Sequence, residues 1–441
     1  MPEEVSQTAP GVILPRRSLA IIFGVSIVTA VGNTGMQSVL PAIGRQIGFK
    51  DYLVAAIFSL SALLWGFSSP YWAKQSDIRG RKPLMLIGLA GFMVSMVCCG
   101  LVVGAGVRHL AAPIVIFVFF LLSRALFGLF GSAANPASQA YVAERTDRAE
   151  RTDAMAGLAG AFGLGTIIGP AVAPLFILPF LGLSGPMFAF AVIAVVMMAL
   201  VIRYLPESRA GVIVTAEERS VVDLAGNPKS PLRDSRLRPF LIYGFLLASC
   251  QTAQGQSLGF LIIDKLHLPP MQAQGFTAVA MMAGAVAGLL AQWGLIRMFR
   301  IGPRDLLRWG AGLAAIANLL VAFAPSYSAV VIGYALASLG YGFCRPGFTA
   351  GASLAVGLSE QASAAGAIAA VNGISVIAAP VFVWLYGVWG PAPFLLNAVV
   401  LAGLLAFALA NGVLRAAGEA PTTEDEAALA SLERSQEGVS V

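Results

Sequence analysis

Apolar residues run in long windows along this chain, with polar residues gathered in the short stretches between them. The windows fall at 19–41, 52–72, 83–105, 112–141, 154–179, 183–204, 239–263, 272–296, 306–324, 328–356, 362–389 and 391–414. Each reaches or exceeds about 18 residues, the length at which a helix begins to cross a hydrocarbon core of about 30 Å. The pattern predicts an all-α integral membrane protein with twelve transmembrane helices. A polar stretch of both charge signs, Glu207 to Arg238, divides the windows six and six. The expected organisation is an N-terminal segment (1–18), a six-helix bundle (19–204), a linker (205–238), a second six-helix bundle (239–414) and an acidic tail (415–441).

Composition removes the soluble alternatives. Of the 441 residues 58% are hydrophobic and 11% charged, against about 25% charged in a soluble globular chain. The formal net charge of +6 does not point to nucleic acid, because the basic residues are spread among short inter-helix segments, where they act as topology signals. They alternate: Arg16 and Arg17, then Lys74, Arg79, Arg81 and Lys82, then Arg145, Arg148 and Arg151, then the linker, then Arg297, Arg300, Arg304 and Arg308 fall on one side. The other side holds Arg45, Lys50, Arg108 and Lys265. This asymmetry supports an even number of spans with both termini in the cytoplasm. The expected setting is the inner membrane, with the lipid bilayer, a small organic substrate and protons as partners and the chain a monomer. Residues 1–14 lack the basic start and short apolar core of a cleaved signal, so the first window is expected to remain as an anchor. The four cysteines lie in apolar windows and the two histidines in loops, without metal-site spacing. No cofactor or metal is expected.

The two halves repeat each other. Pro136 aligns with Pro346 (346 − 136 = 210) and Pro170 with Pro380 (380 − 170 = 210), so two successive helices superimpose without a gap. At that shift Ala159, Gly163 and Ile167 match Ala369, Gly373 and Ile377. Parallel six-helix repeats place a substrate path at their interface.

Several segments carry candidate chemistry. The turn after the second window reads Ser76-Asp77-Ile78-Arg79-Gly80-Arg81-Lys82-Pro83, a charged latch in which Asp77 ends one helix and Arg81 reaches a neighbouring bundle. In the fourth window Arg124, Gly128, Gly131, Asn135 and Gln139 keep one helical face. A buried Arg costs at least about 2.5 kcal/mol to insert, so Arg124 should face the bundle interior or a watery cavity. The fifth window holds Gly165 and Gly169-Pro170, small residues suited to close helix contact. Together with Tyr141 to Arg151, these segments resemble the signature motifs of the major facilitator superfamily, and within it the twelve-helix drug:proton antiporters, the tetracycline exporters among them. The resemblance implies a secondary transporter, a gating role for Asp77, Arg79, Gly80, Arg81, Lys82, Gly165, Gly169 and Pro170, and a proton-coupling role for Arg124. The chain departs from the pattern at Ala73 and at Ala173-Pro174, where that family carries glycines.

Polar residues on apolar windows outline the expected substrate site: Asn33 and Gln37, Asn135 and Gln139, Gln251 and Gln254, Tyr341 and Arg345, and Asn372. Arg345 precedes Pro346 in the core of its window, and an intramembrane ionisable residue is a functional candidate by default. Asn135 is its repeat partner, so the two are expected to face one cavity. No Asp or Glu lies deep in a window: Asp77, Glu144, Asp264 and Asp305 all sit at helix ends. Cation exporters of the family commonly carry such a carboxylate, so an acidic or neutral substrate is expected. The functional expectation is proton-driven export of a small organic compound by alternating access. Uptake or exchange of an organic anion, and a non-transporting receptor or lipid flippase, are the alternatives. No nucleophile, base and metal set converges to suggest an enzyme.

Overall fold

The computed structural model describes residues 15–146, 148–206, 234–356 and 361–418. The first 14 residues, most of the linker, the last 23 residues of the tail, and the side chains of Arg148 and Arg151 in the Tyr141–Arg151 motif lie outside the described residues.

Every regular element among the described residues is helical. The first half contains α1 (Arg16–Ile47), α2 (Asp51–Arg79), α3 (Arg81–Val107), α4 (Pro113–Glu144), α5 (Arg148–Val172) and α6 (Gly185–Tyr204). The second contains α7 (Arg238–Leu266), α8 (Pro270–Phe299), α9 (Pro303–Ala322), α10 (Tyr327–Leu354), α11 (Ala364–Val388) and α12 (Ala392–Ala410). Eleven of these are long and apolar enough to cross a membrane. The exception is α7, whose 29 residues are ample in length but which carries Gln251, Gln254 and Gln256 in its middle. Its polarity reflects where it sits, between the other helices of its half and the interface with the first half, rather than a shorter path. Elsewhere the outward faces carry large exposed apolar side chains such as Phe119, Leu122, Val192, Trp309, Ile332 and Val399, as a lipid-facing surface requires.

Small residues set the helix spacing. A Cβ on Gly340 of α10 would lie 2.7 Å from the Gly310 carbonyl oxygen of α9, and one on Gly88 of α3 would lie 2.5 Å from the Ala134 nitrogen of α4. Backbones approach this closely only where side chains are absent or minimal. Two helices are broken by proline. Pro136 has no N–H for the carbonyl of residue 132, and α4 tightens into a 3-10 turn at Gly131–Ala133. Pro380 likewise releases the carbonyl of residue 376, within the 3-10 turn Ser375–Ala378 of α11. The released Val376 oxygen accepts a hydrogen bond from Ser59 Oγ of α2 at 2.8 Å, which ties the two halves at mid-depth.

Candidate functional site

A cavity of about 970 Å³ lies between the halves. Its lining comes from Val25–Gln37 of α1, Phe58–Pro70 of α2, Arg124–Ser138 of α4, Phe162 of α5, Thr252 and Gln256 of α7, Arg345 of α10 and Gly366–Val376 of α11. Tracing the helices, these positions run from mid-depth toward the face on which α1 begins.

The opposite face is held shut by charge. Arg45, near the end of α1, donates from Nε to Asp51 Oδ1 and from Nη2 to Asp51 Oδ2, both at 2.6 Å. The same guanidinium crosses to the second half, reaching Asp264 Oδ1 at 3.0 Å and Oδ2 at 3.1 Å. Tyr386 of α11 donates to Asp264 Oδ2 at 2.6 Å, and Arg45 lies over the Phe260 ring at 5.5 Å. At the same level Pro41 packs on Gly259. This closure was not among the residues that the sequence singled out; an Arg and two Asp at three helix ends carry no local pattern that announces their meeting.

Within the cavity, Asn33, Gln37, Asn135, Arg345 and Asn372 are brought together. Arg124 lines the cavity although it is only 1% exposed. Its Nη2 donates to Asn33 Oδ1 at 2.7 Å, and its guanidinium lies 4.8 Å from the Phe58 centroid and 4.6 Å from that of Phe127. Its Nε and Nη1 have no hydrogen-bond partner among the described residues. Arg345 is exposed to the cavity from the opposite wall, and its guanidinium meets neither a carboxylate nor an acceptor among the described residues. The described lining contains these two arginines and no Asp, Glu, Lys or His.

Four expected lining residues sit elsewhere. Gln254 and Tyr341 are buried behind the wall, where Asn318 Nδ2 donates to Gln254 Oε1 at 3.4 Å and to the Tyr341 hydroxyl at 3.3 Å. Gln139 is exposed and donates to Asn135 Oδ1 at 3.2 Å. Gln251 is half-buried and does not line the cavity. α7 presents Thr252 and Gln256 instead, four residues apart on one face.

The turn between α2 and α3 is built as a latch, but within the first half. Gly80 adopts φ +94°, a conformation that favours glycine. This turns the chain so that Arg81, 7% exposed, donates from Nη1 to Asp77 Oδ1 at 2.6 Å and to Ser76 Oγ at 2.9 Å. It also reaches Glu144 Oε1, at the end of α4, with Nε at 2.9 Å and Nη2 at 2.5 Å. The expected reach to a neighbouring bundle is replaced by a clamp on α2, α3 and α4, because Glu144 supplies a carboxylate closer at hand. Lys82 donates to the Ile202 carbonyl at 2.9 Å, and Arg79 is exposed. Gly165 and Gly169 form the close α1–α5 contact expected of them. A Cβ on Gly165 would lie 2.6 Å from Ala30 Cβ, and one on Gly169 would strike Thr34 Oγ1 and the Val31 and Gly35 backbone. Pro170 follows inside α5.

Comparison with known proteins gives a consistent picture. The family model described as Major Facilitator Superfamily matches residues 22–380. Multidrug resistance protein MdtG of Proteus mirabilis (strain HI4320) is 28% identical over 90 residues, a match spanning 19% of this chain and 22% of that protein. Among solved structures, the human organic anion transporter MFSD10 (TETRAN) aligns with a TM-score of 0.61 at 20% identity, over 90% of this chain and 100% of that one. A bacterial homolog of the human lysosomal transporter Spinster, inward-facing and unoccupied, aligns with a TM-score of 0.69 at 13% identity, over 92% and 99% of the two chains. A POT family transporter in complex with 5-aminolevulinic acid gives 0.68 at 14% identity, over 89% and 95%.

Proposed function

The chain belongs to the major facilitator superfamily and is a membrane transporter rather than an enzyme, and from that premise we propose that it exports a small acidic organic compound in exchange for protons. The observation that carries the substrate reading is the charge inventory of the cavity: two guanidiniums on facing walls and no carboxylate among the described lining residues. Arg345 supplies a planar donor fork with no acceptor among the described residues, which matches a carboxylate in geometry as well as charge. Two of the similar proteins support the same reading, since one is an organic anion transporter and another a multidrug resistance protein.

In this reading the chain is a monomer of the inner membrane with both termini in the cytoplasm. The present conformation then opens to the cytoplasm and is closed outside by Arg45, Asp51, Asp264 and Tyr386. Substrate enters, its anionic end engages Arg345, and rocking of the halves exchanges the outer closure for an inner one. Arg124 is the coupling residue: its Nη2 holds Asn33 at the cavity wall, so a substrate that displaces Asn33 acts on the buried guanidinium behind it. Protons drive the return step.

Everted membrane vesicles with an acid interior test direction and coupling. Substrate should accumulate in the lumen and the accumulation should collapse with a protonophore. Accumulation only in right-side-out vesicles would establish uptake instead, the reading in which the substrate's own carboxyl carries the proton. For the site itself, Arg345→Lys should weaken binding of an acidic substrate about tenfold through loss of the planar fork, and Arg345→Gln should weaken it further while folded yield is kept. Undiminished transport of an acid by Arg345→Gln would remove the anion site.

A further inference from the structure

The two walls of the cavity differ in kind. The first half contributes all five aromatic side chains of the described lining, Phe58, Trp65, Phe67, Phe127 and Phe162. The second half contributes none; its wall is Thr252, Gln256, Arg345, Asn372 and small or aliphatic residues. At two positions the internal repeat shows the halves diverging at equivalent sites. Phe162 corresponds to Asn372 (372 − 162 = 210), and Asn135 to Arg345 (345 − 135 = 210). All four of these residues line the same cavity.

The aromatic wall is also electrically polarised. Arg124 sits against the Phe58 and Phe127 rings, and Trp65 continues the cluster with its ring 5.1 Å from that of Phe127 at 45°. A ring face is negative and attracts the guanidinium behind it. The positive charge therefore lies beneath an apolar surface, with no lining carboxylate to offset it. Such a wall suits a flat, electron-rich body, while the opposite wall offers the fork of Arg345. A cavity of about 970 Å³ is at the upper end of the roughly 300–1,000 Å³ range of sites that enclose drug-sized ligands. An inorganic anion or a two-carbon acid would leave most of it empty.

From these features we infer that the substrate is an amphipathic aromatic anion, its ring system against Trp65 and Phe162, with the buried Phe58 and Phe127 rings backing that wall, and its carboxylate on Arg345. This rests on the anion reading above and adds to it the nature of the body that the charge is attached to.

Three probes on one bicyclic carbon skeleton separate the two claims: naphthalene-2-carboxylate, its carboxamide, and the puckered, fully saturated decahydronaphthalene-2-carboxylate, each titrated calorimetrically into purified protein in lipid nanodiscs. The aromatic acid should bind about tenfold tighter than the saturated acid and about tenfold tighter than the amide. Trp65→Leu should erase the preference for the aromatic acid over the saturated one and keep the preference for acid over amide. Phe162→Leu, outside the Arg124 cluster, should reduce the same aromatic preference and provides the result should Trp65→Leu fold poorly. Arg345→Gln should do the reverse, keeping the aromatic preference and losing that for the acid. Equal binding of aromatic and saturated acids by the unaltered protein, with the acid still preferred over the amide, overturns the aromatic body alone. Equal binding of acid and amide overturns the anion reading, and failure of all three probes to bind counts against both.

Discussion

At the scale of single residues, the α2–α3 latch shows where the sequence pattern and the geometry part. Asp77 marks the motif, yet its side chain is 67% exposed, whereas Glu144 at 21% is the more buried partner of Arg81. Exposed ion pairs contribute little and desolvated ones more. Glu144→Gln should therefore slow transport several-fold more than Asp77→Asn, with equilibrium binding of substrate nearly unchanged in both. Equal slowing would show that the two carboxylates share the load, and a parallel loss of binding would move the latch into the substrate site. Polar residues isolated on apolar helices were legible at this scale. Asn33, Gln37, Asn135, Arg345 and Asn372 each stand out because burial of such groups needs a reason. The aromatic wall was not legible, because a cavity-facing phenylalanine and a lipid-facing one look alike in a chain with 26 of them.

At the scale of helices, the sequence carried the number and order of elements through the length of the apolar windows, whereas the breaks before Pro136 and Pro380 were not among its expectations. It did not carry rotation. α7 has polar residues at 251, 252, 254 and 256, which surround the helix, so only packing against Asn318 decides that 252 and 256 face the cavity while 254 faces away. Glycines divide in the same way between those with neighbours and those without. Gly169→Ala should lower the folded yield and melting temperature, because its Cβ would meet backbone atoms at 2.5–2.7 Å that cannot move aside. Gly373→Ala, with nothing within 4 Å of the added carbon, should match or exceed the parent in melting temperature, since alanine in a helix is favoured by about 0.5–1 kcal/mol. Fluorescence-detected size-exclusion profiles after heating would read both, and a stable Gly169→Ala would disprove the close α1–α5 contact.

At the scale of the whole molecule, two halves meet through a charged seal on one face, a Ser59–Val376 bond at mid-depth, close packing of Gly160 of α5 against Trp293 of α8, and a cavity that reaches toward the face on which α1 begins. Arg45→Gln removes both ion pairs of the seal at once. It should move the population toward the state open on that side by about fivefold, as expected for about 1 kcal/mol from partly exposed pairs, and distances between spin labels on the Lys50 and His267 loops should lengthen. No change in those distances would assign the seal to structure alone. The seal has a further property. Its side chains are 30%, 14% and 43% exposed for Arg45, Asp51 and Asp264, so dissolved ions on that side reach them, with a screening length of about 8 Å at physiological ionic strength and about 3 Å at 1 M. The solutions on the two sides of a membrane are separate, and the cavity side carries no comparable dependence through this cluster. In the proposed alternating cycle the resting balance between the two open states is therefore adjustable by the salinity of one compartment, with no change in substrate, proton gradient or sequence.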